Sequence, residues 1–161
     1  CDILADGRLD YDDAILSSFD LVIASVHSNL QMSEEKAMQR LLAAIANPHT
    51  TILGHPTGRL LLRRPGYPVN HKTIIDACAQ HGVVIEINAN PWRLDLDWEW
   101  IKYALEKKVI LSINPDAHAI DEFDNNRYGV LVAQKGGLQA HQNLSSFTLK
   151  QFESFLANRN R

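Results

Sequence analysis

The chain is expected to be an α/β protein with mostly parallel strands, and three observations predict it. Short runs of branched apolar residues recur along the 161 residues, segments with a helical apolar period lie between them, and no linker or repeat interrupts the alternation. A complete eightfold βα barrel typically needs about 250 residues. A chain of this length therefore supplies an incomplete, TIM-like barrel or an open sheet, read as a single domain over residues 1–161.

The strand candidates are residues 21–26, 51–53, 83–87 and 109–113, with a fifth run at 128–132. The clearest helix starts after Ser33, a good N-cap, with Glu34 and Glu35 favouring the positive helix end. Its apolar face is Ala37, Leu41 and Ile45, with Met38 and Leu42 beside it, and Pro48 follows its end. A second helix runs from Asn70 as cap through Ile74, Ile75 and Cys78 to Gly82. A third follows Asp97 with Trp98, Ile101 and Leu105 on one face. The last is capped by Thr148, with Gln151 completing a capping box, and is expected to bury Phe152, Phe155 and Leu156.

Composition narrows the function classes. Hydrophobic residues make up 45% and charged residues 22%, an ordinary globular balance. No stretch approaches the roughly 20 apolar residues of a membrane span, and no basic-then-apolar leader is present. Two cysteines, Cys1 and Cys78, make no disulfide framework, which favours a reducing, cytoplasmic setting. A net charge of −3 with a pI near 6.2 argues against tight autonomous binding of duplex DNA. It leaves room for a phosphate substrate held by metals, because bound divalent ions supply positive charge locally. The chain starts at Cys1 inside an apolar segment, Cys1-Asp2-Ile3-Leu4, and so reads as a portion of a longer protein.

The chemistry gathers where strands end. His27 and Ser28 follow the first run, Gly54, His55 and Pro56 the second, Asn88 the third, and Asp116, Ala117 and His118 the fourth. In parallel α/β folds the carboxyl ends of strands converge on one face, so these groups should point at a common centre. Imidazole with carboxylate and no thiolate suits zinc, manganese or iron in a hydrolytic site. A lone histidine after a strand is more often a hydrogen-bonded loop residue than a ligand; three such strand ends together make ligation the competing reading. His49, His71, His81 and His141 lie in loops or at helix edges, where a solvated role is expected. Arg59 has the geometry for a substrate phosphate, or equally for the edge of the core. Asn88 suits either orienting a ligand or capping a loop. Trp92, Trp98 and Trp100 suggest base stacking, but core packing is the stronger reading for Trp98 and Trp100 at a helix start.

At these residues the chain resembles the PHP (polymerase and histidinol phosphatase) superfamily, and within it the PHP domain at the C-terminus of bacterial family X DNA polymerases. The stretches that carry the resemblance are Asp2-Ile3-Leu4 with Asp6-Gly7 and Leu9-Asp10-Tyr11; Val22 to Ser28; Leu53-Gly54-His55-Pro56-Thr57-Gly58-Arg59-Leu60-Leu61; Glu86 to Ala89 with Pro91 and Arg93 to Leu96; and Asp116-Ala117-His118. The resemblance implies a distorted, TIM-like seven-stranded βα barrel holding up to three divalent ions, manganese or zinc, that activate water against a phosphorus centre. His27 and His55 would share one ion, Asp116 would hold a second and His118 a third, with Asp116 and His118 carrying the catalytic role. Its polymerase-associated members act on DNA 3′ ends as exonucleases or end-cleaning enzymes of DNA repair.

The family's first-motif His-x-His, its second-motif histidine and a bridging glutamate find no match in the chain. The expectation is therefore a portion of a metal-dependent phosphoesterase with fewer ions and impaired activity. A non-catalytic scaffold and a small-molecule phosphatase of the histidinol-phosphatase type are the alternatives. An unpaired barrel edge is expected to invite self-association.

Overall fold

A computed structural model describes residues 1–159. Four strands, β1 (Ile23–Ala24), β2 (Ile52–Leu53), β3 (Val84–Asn88) and β4 (Leu111–Asn114), form one parallel sheet in chain order. Ile23 pairs with Ile52, Ile52 with Val84, and Ile85 with Leu111. Single parallel bridges extend the ladder on both sides, from Asp2 to Ser25 and from Leu111 to Asn143. β1, β2 and β4 are shorter than the apolar runs predict, whereas β3 has the expected five residues, shifted by one.

Four expected helices are present with the expected caps: α2 (Glu34–Ala46), α3 (His71–His81), α4 (Trp98–Glu106) and α6 (Leu149–Ala157). The Ser33, Asn70 and Asp97 side chains accept from the backbone N–H groups of Lys36, Thr73 and Glu99, and Thr148 forms a complete capping box with Gln151. Gly82 ends α3 at φ 64°, the left-handed region that glycine enters without strain. A short α1 (Asp13–Leu16), capped by Asp12, was not expected.

One element differs in kind. The run 128–132 lies inside a helix, α5 (Asn126–Gly136), not in a strand. Its buried positions are Gly129 and Ala133, one helical repeat apart, whereas Val130 and Leu131 are exposed. A Cβ on Gly129 would sit 2.6 Å from both Ala89 Cβ and Ile113 Cγ2, so α5 lies directly on the sheet. The apolar run resembles a strand, but the burial period is that of a helix.

Alternation along the strands gives the sheet two unlike faces. Leu53, Ile85, Ile87, Leu111 and Ile113 join the main core with Leu41, Ile45, Ile75 and Ile101 of the helices. The other face begins apolar, with Ile52, Val84 and Ile110 covered by Leu144, Phe147, Phe152 and Phe155. Further along the same face come Glu86 and Asn88 of β3, then Ser112 and Asn114 of β4. This face thus turns polar towards the carboxyl ends. The buried Arg40 of α2 ties the first segment in, donating to the carbonyls of Ile3 and of Ser28, the latter at 2.9 Å.

The tryptophans divide. Trp100 is half-buried and stacks on His71, ring centres 4.6 Å apart, so His71 is packed rather than solvated. Trp98 is not in the core; it is 38% exposed and lies under the Lys135 ammonium, 3.9 Å from the ring centre. Among the described residues no helix is long and apolar enough to cross a membrane.

Candidate metal centre

The parallel ladder sets His27 three residues past β1 and His55 two residues past β2, on neighbouring strands. Their rings meet edge to face with centroids 5.1 Å apart. The strand ends approach closely here: a Cβ on Gly54 would fall 2.2 Å from Ser25 Oγ, so a larger residue would require that hydroxyl to move. His55 has φ 21° and Asp116 φ 52°, backbone that non-glycine residues adopt rarely and that clusters at functional sites.

Beneath the histidines lies Glu86. Its Oε2 accepts from the His55 backbone N–H at 2.6 Å and from Asn88 Nδ2 at 3.2 Å, and its Oε1 accepts from Asn114 Nδ2 at 3.0 Å. Ser112 Oγ donates to Asn114 Oδ1 at 2.8 Å and so orients that amide. Burial pushes the Glu86 carboxyl up to about 7 against the pull of these three donors. Asn88 both holds Glu86 and caps the next loop, its Oδ1 accepting from the Asn90 N–H at 3.1 Å.

His55 is 4% exposed, and its Nδ1 is buried without a hydrogen-bond partner. Burial, then the charge of Arg93, holds its imidazole down to about 4, so the ring is neutral at pH 7. A neutral imidazole with an unpaired nitrogen is the form that ligates a metal. His27 is more open, and Asp2 orients it: Asp2 Oδ1 accepts from the His27 backbone N–H at 3.2 Å and lies 3.4 Å from its Nδ1. His27 and His55 are the two neighbouring imidazoles that could hold a divalent ion, with Asp2 in the carboxylate–histidine arrangement that supports such ligands.

The far end of the site is arranged differently. Asp116 Oδ2 lies 3.0 Å from Arg93 Nε as an ion pair, but is not aligned with any hydrogen-bond donor. The Asp116 charge reaches both His55 and Glu86. His118 does not join them. Its side chain is 76% exposed, its Nδ1 lies 2.8 Å from the Asp116 carbonyl oxygen, and its backbone N–H donates to Glu122 Oε2 at 2.6 Å. Among the described residues no three metal-ligating side chains converge.

The Arg59 guanidinium is engaged inside the chain. Nε donates to the Arg93 carbonyl at 2.8 Å, Nη1 pairs with Asp97 at 2.6 Å, and Nη2 donates to the Leu94 carbonyl. Thr57 does the same work nearby, its N–H and hydroxyl both donating to the fully buried Asp95 at 2.9 Å. The stretch after His55 is therefore stapled to residues 93–97, and the core-edge role is the one the contacts support for Arg59. Sequence reasoning assigned no role to Glu86, Arg93 or Asn114. The available signal was a carboxylate in an otherwise apolar parallel strand, which burial makes costly unless it is held by donors.

A comparison with protein-family models finds no match. Individual proteins do match. The DNA polymerase/3′-5′ exonuclease PolX of Bacillus subtilis is 44% identical over 155 residues, covering 96% of this chain and 27% of PolX. A probable phosphatase of Caldanaerobacter subterraneus is 37% identical over 86 residues (52% of the chain, 32% of the relative), and one of Thermoanaerobacter is 31% identical over 132 (76% and 51%). Likeness both to a PolX and to probable phosphatases is consistent with the resemblance to the PHP superfamily. Within it, the chain is similar to the PHP domain of a family X polymerase. The chain spans about a quarter of PolX and a third to a half of the two phosphatases.

Proposed function

We propose that the chain is a portion of a metal-dependent phosphoesterase domain whose parent processes DNA 3′ ends, built as part of a seven-stranded βα barrel with residues 1–161 as one domain. The observation that carries this reading is the His27–His55 pair, with the unpartnered buried Nδ1 of His55 at its centre. Likeness to a protein named as a 3′-5′ exonuclease supports the substrate class. A bound manganese or zinc ion would supply a Lewis acid and activated water for attack on phosphorus.

The chain's own residues prepare that chemistry. His27 and His55 would hold one ion, Asp2 and Glu86 fix how those two rings are presented, and Arg93 holds Asp116 in place beside them. Asp116 and His118 would serve further ions, with His118 turning in from its exposed position. With fewer ligands than the family's full set, occupancy below three ions and impaired activity are expected. The setting proposed is the bacterial cytoplasm, with self-association through the sheet edge near Cys1.

Titration calorimetry with Mn²⁺ and Zn²⁺ tests the reading. Binding near one ion per chain is expected, weakened at least about tenfold by His55→Ala or His27→Ala, as loss of a ligand should do. Manganese-dependent release of nucleotides from a 3′ end, by this chain beside a longer one carrying the remaining motifs, tests the substrate. If neither variant alters metal uptake, the assignment fails and a non-catalytic scaffold role is favoured. A small-molecule phosphatase remains the second reading because probable phosphatases match parts of the same chain.

A further inference from the structure

Charge is unevenly spread along this acidic chain. Residues 36–75 contain six Lys or Arg and no Asp or Glu, although the whole chain carries a net −3. The stretch includes the loop that leaves the candidate metal centre, where the Gly58 N–H donates back to the His55 carbonyl at 3.0 Å. That loop projects. Leu62 is 98% exposed at φ 63°, a solvent-facing apolar tip with no partner in the core.

A second loop meets it. The Leu61 N–H donates to the Trp92 carbonyl at 2.6 Å, and Arg63 lays its guanidinium 4.8 Å from the centre of the Trp92 ring. Trp92 is 49% exposed. Its chain neighbour Arg93 pairs with Asp116 of the candidate centre. Arg64 sits at the root of the loop, donating to the Gly58 carbonyl at 2.9 Å. A cleft of about 400 Å³ runs along residues 59–66.

We infer that the Arg63–Trp92 stack with the Leu62 tip is a docking platform for single-stranded nucleic acid, guiding a strand end towards His27 and His55. An exposed indole under a guanidinium offers a flat face for a base and a positive charge for its phosphate, the two features sequence-independent strand binders combine. A small phosphoester needs neither, so the platform would select a polymer over a small molecule. The identity of the substrate at the metal centre rests on the proposed function; the platform itself does not need metal. The overall negative charge makes the binding local and weak rather than a clamp on duplex DNA.

The experiment is fluorescence anisotropy of a short labelled oligothymidylate titrated with the chain in the presence of a chelator. Saturable binding that weakens as salt rises is expected. Trp92→Ala should weaken it on the order of tenfold, whereas Trp92→Phe, which keeps an aromatic face, should stay within about threefold of the unmodified chain. Arg63→Ala should lower the salt slope by about 1. The proposal is overturned if the unmodified chain does not bind, if both alanine variants bind as it does, or if polyglutamate displaces the oligonucleotide as well as unlabelled strand does. Loss of metal uptake with binding intact would sink the phosphoesterase reading alone, so the two fail separately.

Discussion

The two faces of the sheet obey different physics. On one, Leu53, Ile85, Ile87 and Leu111 are fully buried against helices, and stability comes from apolar area removed from water. On the other, Glu86, Asn88 and Ser112 are almost as buried and Asn114 is half-buried, yet each is there only because another holds it. The first face tolerates changes that preserve volume. The second tolerates little change in the direction of a hydrogen bond, since a buried donor left unpaired costs more than the bond contributed. The difference lies in what each face supports: a hydrogen-bonded polar network meets the His55 backbone at the strand ends, where the apolar face has only packing.

Substitution on the apolar face should have the largest effect. Ile85→Ala removes a side chain with no exposed surface and should cost about 2–5 kcal/mol in urea unfolding. A loss under about 1 kcal/mol would mean the helices collapse onto the gap and the face is not close-packed.

A smaller, sharper change addresses the polar face. Glu86→Gln conserves volume but turns one carboxylate oxygen into an amide donor facing donors from His55, Asn88 or Asn114. A cost of about 1–3 kcal/mol is expected, with weaker metal binding through a displaced His55. Unchanged stability and metal affinity would show that the network merely fills space.

The smallest effect is the net pH dependence of the metal-free chain. His55 is held down to about 4 from 6.5, so its contribution is present above pH 6.5 and is lost as pH falls towards 4. Glu86 is pushed up to about 7 from 4.5, so its contribution is greatest below pH 4.5 and is lost as pH rises through 7. Between pH 4.5 and 6.5 the two oppose each other, and a shallow slope is expected from denaturation measured across that window. Glu86→Gln removes one side of the balance, and the variant should lose stability steadily on acidification. A variant whose slope matches that of the unmodified chain would break this assignment.

Much of the fold was legible before any coordinates. Ser33, Asn70, Asp97 and Thr148 mark helix starts because capping is satisfied within three residues of the cap. The run 128–132 misled because five apolar-rich residues do not reveal their burial period; Gly129 and Ala133 do so only against Ala89 and Ile113. At the site, the expectation that strand ends converge is met by the rings of His27 and His55, while His118 lies on an exposed turn and Arg59 is held by Asp97. Glu86 was visible as a charge inside an apolar strand, but its partners Asn88 and Asn114 come from positions whose facing depends on register.

The sequence by itself determined the order of elements, their caps and the class of chemistry at the strand ends, because those depend on neighbours a few residues away. Tertiary structure decided which of those strand-end groups meet. Residues 27 and 55, 55 and 86, 59 and 97, and 93 and 116 touch only through sheet register and through loops whose backbone turns left-handed at His55 and Asp116. No local pattern encodes such contacts, since their energy comes from partners brought together only when the whole sheet is assembled.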